Sequence, residues 1–127
     1  MPDTQADSAS LLALLRECAA DAGRMERDAL DALHTRKDSA RYRALMEERA
    51  KSLIVLEAQA APLLGTLPEA ARGKTRSALR AFADGARTAL DLGSVFYMSA
   101  LLYRDDHRAG EPDKLRTLLA GLENDPQ

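Results

Sequence analysis

The sequence of 127 residues has no tryptophan, a single cysteine and only 4% aromatic residues. Valine and isoleucine are also scarce, and these side chains, together with the aromatics, are the ones that a pleated sheet favours. Alanine, leucine, arginine and acidic residues are abundant instead, and most of them lose little rotamer freedom in a helix. A lone cysteine excludes an internal disulfide and is typical of a reducing compartment. The composition therefore predicts an all-α domain.

Neither sign of charge dominates, and long apolar runs are absent. The chain has 18 basic and 20 acidic residues, which gives a net charge of −2. A nucleic-acid-binding domain usually carries a net basic field, so we expect no nucleic-acid partner. No uncharged apolar run approaches the roughly 20 residues of a membrane-spanning helix, so we expect no stable membrane insertion. The polar, acidic start of the chain is unlike a secretory signal, which predicts a cytoplasmic location.

Apolar periodicity predicts a single domain with three long antiparallel helices, a short C-terminal helix and coiled-coil-like packing. The predicted helices span residues 9–35, 39–64, 67–103 and 113–122. In the first helix, apolar residues recur at alternating spacings of four and three, which is a heptad seam. The residues of this seam are Leu11, Leu15, Cys18, Ala22, Met25, Ala29 and Ala32. In the second helix, Arg49 is predicted to lie with the charged residues around it, opposite the apolar face.

The boundary between the first two helices has two interpretations. Residues 34–39 contain neither glycine nor proline, so a continuous helix is one of them. In the other, Asp38 or Ser39 is the N-cap of a separate second helix, because their side-chain oxygens can accept a hydrogen bond from a free amide.

The boundary between the second and third helices is marked more strongly. Pro62 lacks an amide hydrogen, and Gly65 can adopt a left-handed conformation after a helix end. Thr66 and Glu69 have the spacing of a capping box, with Pro68 in the first turn. The third helix is therefore predicted to begin near residue 67.

Motifs with catalytic meaning are absent or incomplete. Gly73-Lys74-Thr75 lacks the first glycine of a phosphate-binding loop, because Pro68 occupies that position, and no strand precedes it. Cys18 falls on the apolar seam, where a free cysteine behaves as a small hydrophobic side chain. Asp105, Asp106 and His107 form one acid–histidine cluster, which we interpret as a polar turn because no further ligands with fixed spacing accompany it. We therefore predict no catalytic residues, no metal, no cofactor and no enzymatic activity.

The segment 89–103 is the most unusual part of the chain, because apolar side chains cover every side of its predicted helix. Such a helix is either the central element of a bundle or meets another chain on one side. Methionine and aromatic side chains suit adaptable interfaces. The residues predicted to contact a protein partner are Leu92, Val95, Phe96, Tyr97, Leu102 and Tyr103.

Residues 41–53, with the sequence RYRALMEERAKSL, resemble the second helix of the FlgN-type chaperones of flagellar and type III export. This segment follows a long amphipathic helix and precedes a third helix that ends in a tyrosine and an acidic, glycine-containing turn at 103–110. The resemblance covers most of the chain as a pattern of features. Residues 42–90 are similar to the FliT-type export chaperones to about the same degree.

The resemblance implies a cytosolic chaperone that holds the terminal helix of a secretion substrate in an apolar groove. The apolar face of the client would then cover Leu92, Phe96 and Leu102. From the residues alone, two alternatives stay open. One is a structural helical homodimer joined through the apolar third helix, and the other is an adaptor protein without a role in secretion.

Overall fold

The computed structural model describes residues 2–103 and 111–124, with side chains from residue 9 to 103 and from 111 to 123. The described residues form helices and connections and contain no strand, which confirms the all-α prediction. The α-helices are α1 (Pro2–His34), α2 (Ser39–Ala60), α3 (Glu69–Leu92), α4 (Val95–Ala100) and α5 (Lys114–Asn124). A 3-10 helix, Ala61–Thr66, connects α2 to α3.

Helix α2 is the central element of the bundle. It packs against α1, α3, α4 and the 3-10 helix, while α5 packs against α1 and α3. The predicted heptad seam of α1 is buried, since its members are all 9% exposed or less. Leu53 of α2 is fully buried in the same core, and burying a leucine side chain contributes about 2 kcal/mol.

Helices α1 and α2 are separate, and the chain reverses between them. Lys37 has a φ of 56°, in the left-handed region, and the Asp38 amide donates to the Ala32 carbonyl at 2.8 Å. The Asp38 side chain accepts a hydrogen bond from the Arg41 amide at 3.0 Å. Asp38 is therefore the N-cap of α2, as one of the two sequence interpretations predicts.

The connection between α2 and α3 differs from the prediction. Helix α2 ends at Ala60 instead of residue 64, and Pro62 lies in the first turn of the 3-10 helix that follows. The prediction of a capping box was wrong, because the Thr66 hydroxyl donates to the Leu63 carbonyl at 2.6 Å and does not cap α3. Helix α3 begins at Glu69 with Pro68 at the N-cap position and no side-chain cap. Thr66 stands two positions before that N-cap, and its hydroxyl closes the preceding 3-10 turn instead.

The predicted third helix, 67–103, is divided in two. Gly93 has a φ of 63° and ends α3. Its amide donates to the Leu90 carbonyl, and the Ser94 amide donates to the Ala89 carbonyl, both at 3.1 Å. These two bonds form a Schellman motif, which satisfies carbonyls that a helix end leaves free. The prediction of one continuous helix to residue 103 was therefore wrong, because Gly93 tolerates the left-handed conformation at which a helix stops.

Thr75 provides a stability prediction, because its side chain is fully buried and its hydroxyl has no hydrogen-bond partner. Replacing a buried, unsatisfied hydroxyl with a methyl group removes a desolvation cost of about 1–3 kcal/mol. We expect Thr75→Val to raise the free energy of unfolding by about 1 kcal/mol. Urea denaturation followed by circular dichroism measures this change, with the exposed Thr88→Val as the matched control. A loss of stability in Thr75→Val alone would contradict the prediction.

Candidate partner-binding site

The short helix α4 is capped at its start and separated from α3 by the turn at Gly93 and Ser94. The Ser94 hydroxyl oxygen accepts a hydrogen bond from the Tyr97 amide at 3.2 Å, which makes Ser94 the N-cap. The Arg43 guanidinium of α2 donates to the Gly93 carbonyl at 3.0 Å. The junction between α3 and α4 is thus fixed both by its own backbone and by a side chain from α2.

Three large apolar side chains at this junction face solvent. Leu92 is 63% exposed, Phe96 is 74% exposed and Tyr97 is 55% exposed. The rings of Phe96 and Tyr97 contact each other edge to face, with centroids 6.1 Å apart and an interplanar angle of 67°. We call Leu92, Phe96 and Tyr97 the aromatic patch. Edge-to-face pairs contribute about 0.5–1.5 kcal/mol beyond area burial, so the two rings restrain one another.

The remaining predicted partner-binding residues lie on the inner side of this segment. Leu102 is fully buried in the core. Val95 and Tyr103 are half-buried, and Val95 packs against the core. A partner that binds the folded protein therefore cannot cover Leu102, and the expectation that a client covers this residue is corrected by its burial. Met98, on the same inner side, is also fully buried.

A buried arginine ties α4 to the rest of the bundle. Arg49 of α2 is 1% exposed, and its guanidinium donates to Glu26 of α1 at 2.7 Å. The same guanidinium donates to the Met98 carbonyl at 2.9 Å and the Ser99 carbonyl at 3.2 Å. These carbonyls lie in the last turn of α4, where a positive charge is favourable. Arg49 thus joins α1, α2 and α4 at a single point.

Tyr103 completes the polar cluster around the buried Arg49. Its hydroxyl donates to the same Glu26 carboxylate oxygen that accepts from Arg49. Burial, followed by the hydrogen bond and the negative charge of Glu26, raises the pKa of Tyr103 well above its ordinary value. Tyr103 is therefore protonated at neutral pH and can act as a hydrogen-bond donor in this cluster.

The sequence prediction placed Arg49 on the polar face of the second helix, which was wrong. A signal for its burial was present in the spacing, since Arg49 stands four residues after Leu45 and four before Leu53, and both leucines are buried. Arginine is usually solvent-exposed, so the prediction followed the residue type of Arg49 instead of its place in the apolar spacing.

The lone cysteine is buried, and potential metal ligands do not cluster in the described part of the chain. Cys18 is buried, and its pKa is raised to about 11 by desolvation first and by the negative charge of Asp21 second. The thiol stays protonated at neutral pH and is a poor nucleophile. Residues 2–103 and 111–124 contain no group of three or more histidine, cysteine or acidic side chains placed to hold a metal ion. The cluster Asp105, Asp106 and His107 lies outside the described residues.

Comparisons with protein-family models, with curated protein sequences and with solved structures returned no match to this chain. Within the described ranges, every helix falls short of the combined length and apolar content that a bilayer crossing requires.

Proposed function

We propose that this protein is an export chaperone that binds an amphipathic helical segment of a secretion substrate over the aromatic patch. The observation that carries the proposal is the exposure of Leu92, Phe96 and Tyr97 on a segment whose other side is anchored in the core. Apolar patches of this kind commonly mark protein–protein contacts. The pattern of residues 41–53 supports the secretion role, and the patch supports the binding of a protein.

The aromatic patch has the chemistry of an adaptable helix-binding surface. Two aromatic rings and a leucine side chain can pack between the apolar residues that an amphipathic helix presents at every third or fourth position. Covering these side chains removes apolar area from water at roughly 25 cal/mol per Å². Aromatic residues are also enriched among the few interface positions that dominate binding energy.

The patch is held in place before a partner arrives. The Schellman motif at Gly93, the Ser94 cap and the Arg49 bonds fix both ends of α4. A surface that is ordered in advance loses little conformational entropy on binding. We therefore expect the client segment, which lacks a partner before it binds, to be the component that becomes ordered.

Affinity purification from cytosol of the source cells tests this function, with mass spectrometry to identify the retained proteins. The bait proteins are the intact chain, Phe96→Asp/Tyr97→Asp, and Leu30→Asp as a matched control. Leu30 is 42% exposed on α1 and lies outside the apolar segment 89–103. We expect one secretion substrate to be retained by the intact chain and the control and lost from the patch variant.

A peptide that covers the terminal helix of the retained protein then provides a quantitative readout. We expect Phe96→Ala to weaken peptide binding about tenfold or more, because truncation of a central aromatic residue commonly costs about 2 kcal/mol or more. Circular dichroism establishes that each variant remains helical. Equal retention by the patch variant and the intact chain, or recovery of proteins unrelated to secretion, would contradict the proposal.

A further inference from the structure

Gly23 lies within α1, where a glycine is less favourable than any other residue except proline. The space beside it is occupied by two arginine side chains. A Cβ atom at Gly23 would lie 2.7 Å from Nη2 of Arg116, on α5, and 3.6 Å from Nη1 of Arg27, one turn further along α1. Atoms essentially never approach a Cβ atom to 2.7 Å, so a glycine is what lets the Arg116 guanidinium lie against the α1 backbone here.

The packing of α5 on α1 brings Arg116 to this position. Leu115 of α5 is fully buried in the core. At the other end of α5, the Arg16 guanidinium of α1 donates to the Glu123 carboxylate at 2.6 Å. The same number of residues separates Arg16 from Gly23 and Arg116 from Glu123, so the two helices run antiparallel and side by side between these contacts.

The guanidinium groups of Arg27 and Arg116 converge on one point and carry the same charge. Both come within 4 Å of the Cβ position of Gly23. In the described ranges, neither guanidinium forms a hydrogen bond or an ion pair with another residue. Two cations this close repel one another, and an anion bound between them would remove that repulsion. Both side chains are exposed, so an anion from solution can reach them.

The acidic residues of α1 do not neutralise this pair. Those within one turn of Arg27 are Glu26, Asp28 and Asp31. Glu26 is paired with Arg49, and Asp31 is paired with Arg36. Asp28 follows Arg27 directly, and consecutive residues of a helix do not face each other. The charges of Glu26 and Asp31 are therefore already compensated within the chain.

On α5, Asp113 is the acidic residue within one turn of Arg116. Its carboxylate accepts a hydrogen bond from the Arg116 backbone amide at 2.8 Å, which satisfies a free amide at the start of this helix. Counted once each, the two cations of Arg27 and Arg116 outnumber the single carboxylate of Asp113. The junction of α1 and α5 therefore keeps a positive charge that an anion can meet.

We propose that Arg27 and Arg116 form a binding site for a phosphate group, seated over Gly23 at the junction of α1 and α5. Each guanidinium presents N–H donors in a fixed fork that matches the oxygens of a phosphate. A tetrahedral phosphate presents oxygens in several directions and can accept from two forks that arrive from different helices. A planar carboxylate has two oxygens, and a single fork engages both of them.

A phosphate at this position would join α5 to α1. Helix α5 has 11 residues, which is too short to be stable by itself in water, so its place depends on such contacts. A ligand that binds only the folded protein also stabilises it. The site includes no residue of the aromatic patch, so it is a second binding site, separate from the one proposed for a client.

Titration of the intact chain with inorganic phosphate at constant ionic strength tests the site, with NMR signals of the backbone amides and the arginine Nε–H groups as the readout. We expect saturable shifts at Gly23, Arg27 and Arg116. Arg27→Gln and Arg116→Gln should each raise the Kd for phosphate about tenfold, because each removes charge-assisted hydrogen bonds. Gly23→Ala should also weaken binding, because its Cβ atom would displace the Arg116 guanidinium.

Two control variants separate the site from general effects of charge and of helix stability. Lys74→Gln/Arg76→Gln removes two cations from exposed positions of α3, and we expect the Kd to stay unchanged. Gly73→Ala adds a Cβ atom to a helical glycine with no atom within 4 Å of it, and it should also bind phosphate like the intact chain. Circular dichroism establishes that each variant is folded.

O-phosphoserine and acetate, titrated in the same way, identify the source of the anion. Tighter binding of O-phosphoserine than of inorganic phosphate would support the site with a phosphorylated partner as its ligand. Equal or weaker binding of O-phosphoserine would support it with free phosphate as the ligand. Shifts that do not saturate, a Kd that neither arginine variant changes, or acetate binding as tight as that of phosphate would overturn the proposal.

Discussion

Replacing Arg49 with alanine is expected to lower the free energy of unfolding by about 3 kcal/mol or more. The change leaves the partly buried Glu26 carboxylate without its cation and the carbonyls of Met98 and Ser99 without their donor. Removing one partner of a buried ion pair costs more than the pair itself contributes, because the remaining charge stays desolvated. Urea denaturation at neutral pH measures the difference.

A second readout of Arg49→Ala is local. We expect amide hydrogen exchange in residues 95–103 to become faster than in α1, because α4 loses the side chain that joins its last turn to α1 and α2. Arg49→Lys keeps the charge but loses the forked geometry that reaches both Glu26 and the carbonyls, so an intermediate effect is expected. An Arg49→Ala protein as stable as the parent would show that the buried bonds are replaced at no cost and would contradict the prediction.

Replacing Met98 with alanine is expected to lower the free energy of unfolding by about 2–4 kcal/mol, because it leaves a cavity in the core. Met98 is fully buried and is the buried residue of α4. A helix of six residues is not stable by itself in water, so α4 depends on this contact, on its caps and on Arg49. Thermal unfolding followed by circular dichroism measures the loss.

Phe96→Ala is the matched control for Met98→Ala, since it removes a larger side chain from the same short helix. Phe96 is 74% exposed, and surface substitutions usually change stability by less than about 0.5 kcal/mol. We expect the two variants to differ in their effects. Met98→Ala should lose both stability and client binding, whereas Phe96→Ala should lose client binding alone. Equal destabilisation by both changes would mean that Phe96 is a core residue in solution, and would contradict the proposed site.

Neighbouring residues of the segment 95–103 are expected to have separate roles. Met98 and Leu102 point into the core, and Arg49 holds the last turn of α4. We expect the exposed aromatic patch to contribute little to the stability of the isolated chain, which leaves it free for the proposed partner. The proposed binding would remove Phe96 and Tyr97 from water and would so recover the free energy that their exposure costs.

The sequence alone determined the helical class and the buried seam of α1. Alternating spacings of four and three constrain which residues share a face of any helix, whatever it packs against. A cap at Asp38 or Ser39 was one of two sequence interpretations, because the cap chemistry is local to a few residues, and the structure selects Asp38. The break at Gly93 was in principle accessible from local chemistry as well, since glycine and then serine provide an end and a cap. The apolar residues on both sides of Gly93 favoured a continuous helix in the prediction.

Only the tertiary structure decided which apolar residues of 89–103 are core and which are surface. With apolar side chains on every side, periodicity cannot select one face. The choice follows from the turn at Gly93 and Ser94, which rotates α4 so that Met98 enters the core and Phe96 remains outside. The burial of Arg49 was likewise decided by Glu26, which is 23 residues distant in the chain, and by the carbonyls of α4. A charged side chain can be buried when such partners converge on it, and their convergence depends on how the helices pack.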